Sequence, residues 1–304
     1  MIWSAPAGRS GDGAFHLGCG RLPDEQTYLP ESRVRSKAPS PLCSAGALQI
    51  MTAFLALLHR DLRVVRRELL SFLLRVVLNP LLFTFIFGFV MPRMGIIQKG
   101  YTDMLLPGIL GLSMTLSSMQ AVSLPLVIDF GWSKEIEDRL LAPISIKGVA
   151  LEKIIVGLLQ AIIAGIVVLP LAWLLMRVHL SLTGIDIIHF VLVALLSSWL
   201  FAAFGMVIGT IVPPQQISLI FTALLSPMIF FGCAYYPWAT LHVVPWFQYM
   251  VLVNPLVYAN EGFRLALTPQ MPHMPMALVY GALIGFSAFF TWLGLRKFES
   301  RALD

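Results

Sequence analysis

IIHFVLVALLSSWLFAAFGMVIGTIVPPQQISLIFTALLSPMIFFGCAYY, residues 187–236, decides the fold. It belongs to a stretch, Ile187–Asn260, of 74 residues without one Asp, Glu, Lys or Arg. A membrane-crossing helix needs about 20 apolar residues to traverse a hydrocarbon layer of about 30 Å, so this stretch is too long for one crossing. Pro213-Pro214-Gln215-Gln216 breaks it, leaving predicted spans at 188–211 and 217–236. Working outward, Met104–Ile128 is uncharged for 25 residues, Ile154–Met176 for 23 and Leu265–Leu295 for 31, the last interrupted early by Pro269, Pro272, His273 and Pro275. Val76–Pro92, extended by Ser71–Leu74, completes the set. The expectation is an all-α polytopic membrane protein with six spans, at about 71–91, 104–128, 150–176, 188–211, 217–236 and 276–296.

Composition agrees. Of 304 residues, 58% are hydrophobic and 12% charged, and the mean hydropathy is +0.81. A soluble domain carries about 25% charged residues, so there is too little polar surface to cover a water-soluble core. Disorder over most of the chain is excluded by the same numbers. Three cysteines, Cys19, Cys43 and Cys233, are odd in number and widely spaced, which gives neither a disulfide framework nor a metal pattern. The net charge of +5 reads as membrane-side bias, not nucleic-acid binding, because no basic stripe interleaves with aromatics.

Residues 1–50 are rich in Gly, Pro, Ser and Arg and hold no long apolar run. They read as a disordered tail without a signal-peptide core; the alternative is that translation starts at Met51. Residues 51–70 follow as an amphipathic helix, with Phe54, Leu58, Leu62, Val65 and Leu69 at helical spacing and Arg60, Arg63, Arg66 and Arg67 on the other faces. Such a helix lies in the membrane interface with its arginines near anionic lipid. Cations then set the orientation. One side holds eleven: Arg60, Arg63, Arg66, Arg67, Lys134, Arg139, Lys147, Lys153, Arg296, Lys297 and Arg301. The other holds four: Arg93, Lys99, Arg177 and Arg264. Both termini are therefore expected in the cytoplasm.

Short loops leave two segments able to carry a function. The cytoplasmic one, 129–149, contains a short charged helix at about 132–143 that Ser133 can cap, with Glu135 and Glu137 in its first turns and Pro143 at its end. It reads either as a solvated connector or as a docking element. The external one, about 237–275, is apolar but broken by Pro237, Pro245 and Pro255, and carries Trp238, Trp246, Phe247, Tyr249 and Tyr258, residues of the membrane interface. It is expected to form short re-entrant helices. Within it Glu261 and Arg264 stand one helical turn apart and can pair near the outer surface. They either steady the segment or form a gate. Ser113, Thr115, Ser117, Ser118, Gln120 and Ser123 in the second span, and Ser218, Thr222 and Ser226 in the fifth, suit close helix packing or a path for an amphiphile. Gly205 and Gly209 form a Gly-x-x-x-Gly contact signal.

Three runs carry a resemblance. Arg139-Leu-Leu-Ala-Pro-Ile-Ser resembles the coupling-helix region of type-2 ABC exporter permeases. Asn254-Pro-Leu-Val-Tyr-Ala-Asn-Glu-Gly-Phe-Arg resembles the segment before that family's last span, and Leu106-Pro-Gly-Ile-Leu the opening of its second. The similarity covers about residues 52–300 in the same order of elements, and the tail lies outside it. It implies a transport subunit for an amphiphile, drug, lipid or glycan, not itself an enzyme, paired with a second permease copy and a cytoplasmic ATP-binding subunit. The chain has no Gly-Lys dipeptide, hence no phosphate-binding loop of the Walker-A kind. By resemblance, Glu135, Glu137, Asp138, Arg139 and Pro143 would meet that partner, while Asn254, Pro255, Glu261 and Arg264 would be the external gate candidates. No catalytic residue, metal or cofactor is assigned. The competing classes are a membrane-embedded transferase, which needs clustered His and acids, and an ion-coupled carrier, which needs acids at midplane; the six histidines are scattered and the spans hold no central acid.

Overall fold

The computed structural model describes residues 42–67, 69–95, 100–133, 144–176 and 183–303. Among these every regular element is helical. In chain order they are α1 (Leu42–Arg67), α2 (Leu69–Phe83), α3 (Tyr101–Ile128), α4 (Ile146–Met176), α5 (Gly184–Ile211), α6 (Ile217–Phe230), α7 (Pro245–Met250), α8 (Pro255–Leu267) and α9 (Met276–Leu303). Helix α2 carries Pro80 inside it and continues through a wider π-helical stretch, Thr84–Val90, into a last turn, Met91–Arg93. The first forty-one residues lie outside the described ones, and α1 starts nine residues before Met51.

Among the described residues four helices are long and apolar enough to cross a membrane: Tyr101–Gly131, Ile146–Met176, Gly184–Ile211 and Met276–Leu303. They match the predicted spans 104–128, 150–176, 188–211 and 276–296. The other two predictions fall on shorter apolar helices, Pro80–Arg93 and Pro214–Phe230. The 217–236 prediction overshoots. Helix α6 stops at Phe230, and the chain turns through Cys233, whose φ of 53° is left-handed. The freed carbonyls there are taken up by side chains: Asn254 Nδ2 donates to Met228 O (2.7 Å), the Tyr236 hydroxyl to Phe230 O (2.7 Å) and Asn260 Nδ2 to Gly232 O (2.7 Å). Helix ends inside a bundle need such partners.

Helices α3 and α5 are the spine. Two thirds (67%) of the most apolar window of each is enclosed by the chain, against 44% for α4 and 17% for α9. Helix α9 therefore presents most of its surface outward. Gly205 and Gly209 explain the close approach of α5 to α3. A β-carbon at Gly205 would overlap the Met119 carbonyl oxygen, and one at Gly209 would lie 2.8 Å from Leu126 Cβ and 3.0 Å from the Ser123 carbonyl oxygen. Most of the α3 hydroxyls turn inward onto backbone: Ser113 to Ile109 O (2.7 Å), Thr115 to Gly111 O (2.7 Å), Ser123 to Met119 O (2.7 Å), and Ser118 across to Ser198 O of α5 (2.5 Å). These buried hydroxyls serve packing. Those of α6 differ in exposure: Ser218, Thr222 and Ser226 lie in one exposed row, where Thr222 donates to Ser218 O (2.9 Å).

A backbone cannot move aside as a side chain can, so Gly205→Ala should cost about 1–3 kcal/mol through overpacking. Gly281 on α9 has open space around it, so Gly281→Ala should be neutral or stabilising through helix propensity. Apparent melting of the detergent-solubilised protein by size exclusion, wild type against each variant, measures both.

Candidate functional site

Helix α8 and its surroundings form a closed polar knot. The helix starts at Asn254, whose Oδ1 accepts from Leu256 N (3.0 Å), with Pro255 at the first helical position, where its missing N–H costs nothing. It packs among α3, α5 and α9 and is buried along nearly its whole length. Room for it comes partly from Gly111 of α3, where a β-carbon would overlap the Asn260 side-chain oxygen.

Glu261 and Arg264 are both 0% exposed. They pair as the i,i+3 spacing predicts, through Arg264 Nη1 and Glu261 Oε1. The pair is enclosed, however, not near a surface. Its remaining atoms reach distant backbone. Glu261 Oε1 also accepts from Trp238 N (2.8 Å), and Oε2 accepts from Met274 N (2.8 Å). Arg264 Nη2 donates to Cys233 O (3.2 Å) and reaches Met104 O at 3.5 Å. One ion pair therefore joins α8 to the turn after α6, to the approach of α9 and to the start of α3. Of the four outer candidates, Glu261 and Arg264 form this junction, while Asn254 sits at the other end of α8, bonded to Leu256 N and Met228 O, and Pro255 shapes the helix start.

The five residues expected on the coupling helix, Glu135, Glu137, Asp138, Arg139 and Pro143, lie outside the described residues. The structure does describe both attachments of that segment. On one side α3 ends in a π-turn, Asp129–Ser133, and on the other α4 starts at Ile146 after Ser145, whose hydroxyl accepts from Gly148 N (3.2 Å). A second buried charge cluster joins these attachments. Lys153 Nζ of α4 donates to Asp61 Oδ2 of α1 at 2.5 Å and lies 4.0 Å from Asp129 Oδ2. All three side chains are buried, and the neighbouring Glu152 is 0% exposed. At the rim, Arg301 of α9 donates to Thr210 O (2.8 Å), its guanidinium 5.5 Å from the Phe130 ring, and Lys147 pairs with Glu299 at 3.4 Å.

Sequence reasoning missed this cluster, although two signals were present. Asp61 lies in the apolar stripe of α1, three residues after Leu58 and one before Leu62. Glu152 and Lys153 fall inside the predicted span 150–176. A charge on an apolar face marks a buried partner. Among the described residues no group of His, Cys, Asp and Glu is arranged to hold a metal ion.

Comparison with known families agrees with this architecture. The family model of the ABC-2 type transporter matches residues 52–268. The chain belongs to the ABC-2 type transporter family: it is the membrane domain of an ABC transporter, a multi-pass permease and not itself a catalyst. A search of curated proteins finds no match.

Removing one member of a buried pair leaves the other charge enclosed, at a cost of about 3–5 kcal/mol. Glu261→Ala and Arg264→Met should each lower stability by about that amount. The double change Glu261→Ala, Arg264→Met should lose less than the sum of the two single changes, because it leaves no charge enclosed. At the opposite cluster, a double-mutant cycle of Asp61→Asn and Lys153→Met should give a coupling energy of about 1–3 kcal/mol. Equilibrium unfolding in mixed micelles reads both sets.

Proposed function

We propose that the chain is the permease subunit of an ATP-driven exporter in the cytoplasmic membrane, with ATP hydrolysed by a separate nucleotide-binding subunit. The family match over residues 52–268 carries this reading. In the proposed topology all six apolar helical segments cross the bilayer. The two shorter ones do so with help from flanking residues and local thinning. The cation bias puts both termini inside. Residues 237–275, a series of short helices ending in the enclosed α8, dip into the outer leaflet; the bonds from Asn254, Asn260, Glu261 and Arg264 satisfy backbone groups that lipid could not.

In this reading residues 132–143 form the coupling helix. Glu135, Glu137, Asp138 and Arg139 make charge-assisted contacts with the ATP-binding partner, and Pro143 ends the helix. Closure of two such partners on ATP then rocks two permease copies as rigid bodies. The Lys153–Asp61–Asp129 cluster is suited to passing that motion on, because it joins both attachments of the coupling segment to α1. Two identical copies meet with their α6 helices facing the path. Ser218, Thr222 and Ser226 are exposed there, whereas Ser113, Thr115, Ser117, Ser118 and Ser123 of α3 are buried. A path with hydroxyls and no fixed charge suits an amphiphile: a drug, a lipid or a lipid-linked glycan. The Glu261–Arg264 pair holds the outer end of that path in shape instead of meeting the cargo.

The test is affinity purification of the tagged chain from solubilised membranes, with ATP hydrolysis assayed in the eluate. An ATPase subunit should accompany the parent and be lost from the Glu135→Lys, Arg139→Glu double variant. Absence of ATPase from the parent eluate overturns the exporter reading.

A further inference from the structure

Between α5 and α9, on the outward side of the bundle, runs an apolar groove of about 600 Å³. Leu196 and Trp199 form one wall, and Ile284, Ala288, Trp292 and Leu295 the other. Its polar groups are already satisfied within the protein: Trp199 Nε1 donates to Thr291 Oγ1 (3.0 Å), and Ser287 Oγ lies 3.4 Å from Leu196 O. The groove therefore asks no hydrogen bond of an occupant and suits hydrocarbon. Its walls are open outward, since Ile284 and Trp292 are each 56% exposed.

Length narrows the choice. Ile284 to Leu295 is eleven helical steps, about 16 Å at 1.5 Å per residue, close to half of the hydrocarbon layer of about 30 Å. The groove occupies the C-terminal part of the apolar run of α9, hence one leaflet. Its end is marked by charge. Arg296 follows Leu295 directly, is exposed, and holds its guanidinium 5.6 Å from the Trp292 ring centroid; Lys297 beside it is also exposed. Stacking on the indole limits where the guanidinium can go and keeps it over the groove end.

We propose that this groove seats one acyl chain of an anionic phospholipid from the leaflet at the C-terminal end of α9, with the phosphate held by Arg296. A hydrocarbon slot one leaflet long that ends at a stacked cation matches the two halves of such a lipid. The site requires only that α9 crosses a bilayer, so it stands apart from the exporter reading.

Native mass spectrometry of the full chain in detergent, titrated with phosphatidylglycerol or with phosphatidylcholine of the same acyl chains, tests it. One phosphatidylglycerol should bind per chain, about fivefold more tightly than phosphatidylcholine, the effect of one cation near a lipid phosphate. Arg296→Gln should abolish that preference. Ala288→Phe, which fills the groove at an exposed position and leaves the core untouched, should weaken both lipids, and Ile284→Ala should do so to a smaller degree. The proposal is overturned if Ala288→Phe leaves both affinities unchanged, or if the preference survives Arg296→Gln. It is also overturned if the parent appears as a dimer that Ala288→Phe dissociates, since the groove would then be an interface between copies. None of these readouts involves ATP hydrolysis, so a failed ATPase co-purification leaves them intact.

Discussion

The enclosed Glu261–Arg264 ion pair is the constraint on which the α6–α9 half of the fold rests. Burying two charges is costly, and attraction between them offsets the cost only when the remaining donors and acceptors also find partners. Here both carboxylate oxygens are engaged, by Trp238 N, Met274 N and the guanidinium, and Arg264 Nη2 reaches the Cys233 carbonyl, leaving Arg264 Nε as the one polar atom of the pair without a hydrogen-bond partner. Three other pieces of chain, the turn after α6, the approach to α9 and the start of α3, must therefore arrive at fixed positions for one pair to be tolerated. In return α8, only 13 residues long and too short to cross a bilayer, is held deep among α3, α5 and α9 with its backbone ends satisfied. An apolar pair of similar volume fills the same space, but it does not specify which carbonyls meet which helix.

The Lys153 cluster applies the same logic in another geometry. Glu261 and Arg264 are local in sequence and recruit distant backbone; Lys153 and Asp61 are 92 residues apart and join two helices directly. Charge interaction falls with separation and is strong only where water is excluded. The start of α4 therefore cannot slide against α1 without weakening that contact, and Asp129 holds the end of α3 in the same cluster. This ties α1 to the bundle by charge, with Leu57 packed against the core beside it.

What was legible in the sequence follows from which interactions are local. The four long helices were read from uninterrupted apolar length, and the Glu261–Arg264 pair from i,i+3 spacing. The glycines at 205 and 209 were read as a contact and are one. The end of α6 was not legible, because hydropathy continues through Phe231 and Gly232 while the groups that stop the helix, Asn254 and Asn260, come more than twenty residues later. Enclosure of the ion pair was hidden for the same reason, since the backbone that closes over it belongs to other segments. Asp61 was visible as an acid on an apolar stripe, but only a lysine on another helix gives it meaning.

The wiring of the polar knot also has a temporal side. Arg264 bonds to the Met104 carbonyl 160 residues earlier, and Glu261 to the Met274 amide 13 residues later. A ribosome delivers the chain from its N-terminus, so α3 is made and threaded long before its partner in this network exists. The junction cannot close until the approach to α9 has been synthesised. Until then Glu261 Oε2 lacks its Met274 partner, although Met104, Cys233 and Trp238 have already been made. Biogenesis of this transporter therefore includes a late locking step, in which Met274 supplies the last contact of a junction whose other backbone partners are already made.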